Sequence, residues 1–165
     1  MKRIQSFLVV FAVLISVANL SAQNIYLYYP GITNGKGIEP HRDEVRLTSV
    51  AGGMHRESTY STTMPIFSPY TLTKSYDGSS PLIMSDLAEG AGGNEAEIRF
   101  YTAGKGGKDE LVLTIALKGT TIMSYEAAGV AESTCNNCPV LSETFSIDFE
   151  RIKIGTFEWD RNQVR

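Results

Sequence analysis

Phe67-Ser-Pro-Tyr-Thr-Leu-Thr-Lys-Ser-Tyr-Asp-Gly-Ser-Ser-Pro-Leu-Ile-Met-Ser-Asp-Leu-Ala-Glu-Gly90 reads as a strand, a turn and one short helix. Tyr70, Leu72 and Lys74 fall on one side of an extended chain, and Thr71, Thr73 and Ser75 on the other. Asp77-Gly78 signals a turn. Ser80 suits an N-cap, Pro81 the first helical position and Gly90 the residue that ends a helix in the left-handed region.

Elsewhere the alternation is that of a sheet. Ile25, Leu27 and Tyr29 share a face, as do Val45 and Leu47, and Gly52-Gly53 breaks or bulges the strand that follows. Ala96, Ile98 and Phe100 point inward opposite Glu95, Glu97 and Arg99. Leu111, Leu113, Ile115 and Leu117 line one face, and Gly119 kinks the chain into a second segment, residues 121–125. Phe145, Ile147 and Phe149 alternate cleanly before two last short strands at 152–154 and 156–159. Many short strands with frequent turns predict a closed or nearly closed barrel or a sandwich, with the helix plugging one side or packing outside.

Residues 1–22 stand apart from this pattern. Lys2 and Arg3 precede the apolar run 7–17, and Ser21-Ala22-Gln23 offers cleavage after Ala22, with Ala18 the alternative. The expectation is a signal peptide at 1–22 and one domain at 23–165, exported by the Sec route to the periplasm or beyond. A domain of that length buries a hydrophobic core without a metal or many disulfides. Removing Lys2 and Arg3 leaves 13 basic against 18 acidic side chains, a net charge of −5. No basic stripe exists to neutralise phosphates, so nucleic acid is not an expected partner. Nor is a membrane after cleavage.

Chemistry-bearing patterns are few. The sequence has no Gly-x-Ser-x-Gly elbow, His-Glu-x-x-His or phosphate-binding loop. Gly104-Lys-Gly-Gly-Lys108 lies between two strands and reads as a hairpin tip. His41, Asp43 and Glu44 cluster at a strand entrance, where solvated charges are ordinary and a metal would need more convergent ligands. Glu95 and Glu97 read as a solvated outer face, since a catalytic acid needs an apolar pocket. No catalytic residue, metal or cofactor is expected. Cys135-Asn-Asn-Cys138 has three readings: a small disulfide, half of a metal site, or a redox pair. The disulfide is favoured in an exported chain and would stiffen one loop.

Leu72-Thr-Lys-Ser-Tyr-Asp-Gly-Ser-Ser-Pro-Leu82 resembles the F-T-K-x-x-D-x-x-S-P-x-L segment of Hcp, the haemolysin-coregulated tube protein family of type VI secretion systems. Ile25 to Ile32, Glu44 to Met54, Ala96 to Gly104 and Glu143 to Phe149 are similar, in order, to that family's other strands. The resemblance implies a compact β-barrel of two sheets with one helix on its side. It also implies a hexameric ring, stacking into a tube, a lumen loaded with small effector proteins, and no enzyme activity. Two departures stand out. Val50-Ala-Gly-Gly-Met54 lacks the family's aromatics near the glycine, so a ring's inner surface, with Ala51 and Met54 as its expected lumen residues, would differ from the family's. The family's cytoplasmic tube subunits carry no Sec signal, because the machine itself ejects them.

Two strand edges, 110–117 and 143–150, would have to be covered by a neighbouring copy or blunted by charge. The alternative function is an exported binding module or adhesin using loops 30–43 and 126–142, with Tyr28, Tyr29, Tyr60 and Tyr125 as sugar or protein contacts. An exported hydrolase ranks last, because a nucleophile and base are missing.

Overall fold

The computed structural model describes residues 23–56, 65–104, 106–129 and 141–162. Nine antiparallel strands and one helix make up this part: β1 (Asn24–Tyr28), β2 (Val45–Leu47), β3 (Ser49–His55), β4 (Ile66–Ser75), α1 (Ser80–Glu89), β5 (Asn94–Ala103), β6 (Asp109–Gly129), β7 (Leu141–Asp148), β8 (Arg151–Ile154) and β9 (Phe157–Asp160). The strand order is β2-β1-β5-β6-β7-β4-β3, with β8 on β6 and β9 on β8.

The expected two sheets are one connected sheet, because β6 does not stop at Gly119. It bends there, at φ +62°, a conformation that favours glycine. A Cβ at this position would also meet the Glu150 side chain at 2.8 Å. Residues Asp109 to Thr120 pair with β5, and Thr121 to Gly129 pair with β7. The pairing does not close the sheet into a barrel. Its end strands β2 and β3 are successive in the chain, joined through Thr48, whose N–H donates to the Thr73 carbonyl at 2.7 Å.

The inward faces are those the alternation marks. Leu27, Val45, Leu47, Leu72, Ile98, Leu117, Phe145, Ile147 and Ile152 are buried together. The helix lies against β6 and buries Ile83. Gly90 closes the helix in the left-handed region, its N–H donating to the Asp86 carbonyl. The N-terminus differs from the expectation. Ser79, one residue earlier, occupies the cap position, and Ser80 is the first helical residue, with its hydroxyl turned into the core. Asp77 Oδ1 accepts from the Ser79 N–H at 2.7 Å and from its hydroxyl at 2.6 Å, so a local turn supplies the capping. No helix among the described residues is long and apolar enough to cross a membrane.

Candidate assembly surface

Ladder register decides which edges are open. β7 lies between β4 and β6, so 143–150 is not an edge as expected. β6 pairs with β5 over Asp109–Thr120 and with β8 only over Ile115–Lys118. One side of 109–114 is therefore open among the described residues, and Leu111, Val112 and Leu113 are exposed there. The half made of β3, β4, β7 and the end of β6 is open on both flanks. Among the described residues, β3 pairs only with β4, and Thr121–Gly129 pairs only with β7. β3 reads Ser-Val-Ala-Gly-Gly-Met-His, with no Lys, Glu or Pro to blunt it.

The outward face of this half is a wall of small polar side chains. Register places Ser49, Thr73, Thr144 and Glu126 in one row, and Ala51, Thr71, Ser146 and Ser124 in the next. The Thr73 and Thr144 hydroxyls meet at 3.1 Å, and those of Ser124 and Ser146 at 2.6 Å. Asp148 continues the β7 face, and Arg161 answers its charge with a bidentate pair, both contacts at 2.8 Å. That guanidinium holds the Asp148 carboxyl below its usual range.

Ala51 and Met54 do not share a face. Ala51 sits opposite Thr71 on the hydroxyl side, whereas Met54 sits opposite Phe67, whose ring is buried. A register shift lies between Ala51 and Gly53. Gly52 at the shift has the Tyr70 ring against it, and a Cβ there would come 2.4 Å from Tyr70 Cδ1. A close approach, not a turn, is what this glycine permits. Burial of that ring raises the Tyr70 phenol.

Behind the wall lies a buried polar knot. Lys74 continues the inward side of β4 and is fully buried. Its Nζ meets Glu143 Oε1 at 2.6 Å across the β4–β7 ladder and Asp77 Oδ1 at 2.8 Å. Ser80 Oγ donates to Glu143 Oε1 at 2.9 Å and accepts from the Asp77 N–H at 2.9 Å. Tyr125 donates to Glu143 Oε2 at 2.7 Å, and burial together with this carboxylate pushes its phenol far above its usual range. Every carboxylate oxygen of Glu143 has a partner, the condition under which a buried charge is tolerated. Local alternation places Lys74 inward, but no local signal pairs it with Glu143.

A second cluster borders a cleft of about 760 Å³ between the 36–41 loop and β2. His41 Nδ1 meets Glu44 at 2.7 Å, and Nε2 meets Asp109 at 2.9 Å. Tyr26 stacks on the imidazole at 4.0 Å, and Arg99 and Tyr101 bind Glu44 in turn. Asp43 turns away and accepts from the Gly35 N–H at 2.9 Å. The His41–Glu44–Asp109 cluster thus ties the loop to the turn end of the β5–β6 hairpin. Glu95 pairs with Lys118 at 2.8 Å and Glu97 with Arg99 at 2.6 Å, so each carboxylate faces a cation of its own.

The tyrosines expected of a binding module are dispersed. Tyr29 is buried with its hydroxyl against Thr120, Tyr125 serves Glu143, and Tyr28 lies under the Arg99 guanidinium. Gly104 and Lys108 close the β5–β6 turn with a 2.8 Å backbone bond, as a hairpin tip requires. Cys135, Cys138 and Tyr60 lie outside the described residues, as does the 1–22 segment.

This one-helix antiparallel architecture is the fold of solved Hcp proteins. Hcp1 from Salmonella typhimurium is 17% identical with a TM-score of 0.68, covering 84% of this chain and 94% of that one. Hcp1 from Flavobacterium johnsoniae is 16% identical with a TM-score of 0.63, covering 83% and 98%. The secreted protein Hcp3 from Pseudomonas aeruginosa is 18% identical with a TM-score of 0.63, covering 84% and 96%. No curated protein matches. Residues 26–155 match the family described as type VI secretion system effector, Hcp, and the chain belongs to that family.

Proposed function

We propose that the chain is a non-enzymatic, ring-forming tube subunit of the Hcp kind, exported after removal of residues 1–22. The observation that carries this reading is the four-stranded half, open on both flanks among the described residues and faced with small hydroxyls. In a ring, the β3 edge of one copy meets the Thr121–Gly129 edge of the next. That contact is heterologous, and repeated rotation closes it, six copies being the number the family implies. Each subunit's sheet curls around its core in the manner of a barrel, joined at the β2–Thr48–β3 corner by the chain and not by pairing. Ala51 falls on the lumen wall, and Met54 on the opposite side of β3.

Such a wall suits transport. Small neutral hydroxyls hydrogen-bond any polar protein surface and grip none, and Glu126 and Asp148 are its acidic groups. The cargo is small effector proteins, and rings stack where their flat ends meet. Cys135 and Cys138 form a local disulfide, as an exported chain in an oxidising compartment allows.

Native mass spectrometry and particle imaging of residues 23–165 test the assembly. A closed annulus of identical copies is the expected result. A monomer at high concentration that binds a glycan or protein through its loops would replace the ring with the binding-module reading. Thiol titration of the exported protein tests the disulfide, and two reactive thiols would remove it.

A further inference from the structure

We propose that Gln23 is the first residue of the exported chain and closes on itself to pyroglutamate, a neutral lactam that caps the leading strand of the sheet. This rests on the reading of 1–22 as a leader cut after Ala22 and goes beyond ring assembly. Gln23 is exposed and lies just ahead of β1, in no rung of the described ladder. The first rung pairs Asn24 with Tyr101, and the Arg46 guanidinium holds Asn24 Oδ1 at 3.2 Å. The chain is therefore fixed from Asn24 onward, and cyclisation of Gln23 costs the sheet no ladder bond.

The chemistry needs only this residue. The α-nitrogen attacks the side-chain carboxamide carbon, so the N–Cδ bond forms and the Cδ–Nε2 bond breaks. One amine proton passes to Nε2, which leaves as ammonia, and nothing is oxidised or reduced. The amine must be neutral to attack. An α-amine titrates near pH ~8, so about a tenth of it is neutral at pH 7.

The position gives the lactam a use. β1 lies between β2 and β5, and its Ile25 and Leu27 pack in or against the core. Stepwise trimming from a free amine would remove Gln23, then Asn24 with its Arg46 bond and the first rung. A lactam offers an aminopeptidase no amine. Gln23 also lines the cleft shared with His41, Glu44 and Asp109, and the lactam leaves that rim without an α-ammonium charge.

The test uses the full chain with its own leader, expressed in a bacterium. Free amines in the exported fraction are dimethylated at lysis, and the N-terminal peptide is weighed. The expected peptide begins at residue 23, carries no dimethyl label at its N-terminus, and is lighter than the linear form by one ammonia, about 17 Da. The Gln23→Ala variant should carry the label and be shortened by an aminopeptidase that leaves the parent intact. A labelled amine on Gln23 would overturn the lactam and leave the leader reading standing. A peptide starting at Met1 or Asn19 would overturn both the cleavage site and the lactam.

Discussion

Lys74 and Glu143 face each other across the β4–β7 ladder and meet at 2.6 Å, with neither side chain reaching solvent. The pair joins the strand before the helix, the first residue of the helix and the strand behind the hydroxyl wall. Lys74→Met should cost about 3–5 kcal/mol in urea unfolding, because Glu143 stays buried with its charge unanswered. Adding Glu143→Leu should recover much of that loss, so the double variant is more stable than the sum of the singles predicts. Simple additivity would mean that the two side chains act independently.

The register shift in β3 gives a second test. Gly52→Ala drives a methyl group into the Tyr70 ring and should destabilise the fold by about 1–3 kcal/mol. The same substitution made on a Tyr70→Leu background should cost much less, since the ring that it strikes is gone. An equal cost in both backgrounds would assign the need for glycine to the backbone.

How far the sequence reaches is visible in these same residues. Alternation places Leu72 and Lys74, Phe145 and Ile147, and Val45 and Leu47 on inward faces, because a period of two leaves little freedom once one face is buried. It misjudges Leu111 and Leu113, which share the pattern of Ile115 and Leu117 yet are 50% and 38% exposed. The cause is reach: β8 covers β6 only from Ile115, and the hairpin outruns the core. Gly119 signals a bend, but the continuity of the ladder through it is a long-range fact. So are the Lys74–Glu143 and His41–Asp109 contacts, whose partners lie 69 and 68 residues apart along the chain. Alternation also cannot say that β7 is central or that β3 is open, because strand order is not written in any one strand.

The hydroxyl wall yields a prediction about assembly. Thr71 is exposed at its centre, so Thr71→Lys should leave the subunit's own stability within about 0.5 kcal/mol. In a ring it places one extra cation per copy around a shared lumen. Analytical ultracentrifugation should find the annulus weakened at low ionic strength and restored near 1 M salt, where the screening length falls to about 3 Å. Assembly indifferent to salt would move this face away from the ring's interior.

Asp148 and Arg161 make the fold's response to acid predictable. The bidentate guanidinium lowers the carboxyl's pKa in the folded chain, and the unfolded chain has no such partner. The folded state therefore binds the Asp148 proton less readily than the unfolded state. The stabilisation is fully present above the ordinary aspartate value of about 3.9 and is lost as pH falls through the lower folded value. Both side chains reach solvent, so the effect is modest and screened by salt. Asp148→Asn should unfold more easily than the parent at pH 7, and the gap between them should narrow below about pH 3.9 and close only at a pH beneath the lowered folded value, where the parent's carboxyl is itself neutral. Urea titrations of the two proteins at both pH values measure this, and a gap that persists in acid would mean that Asp148 acts through packing and not through its charge.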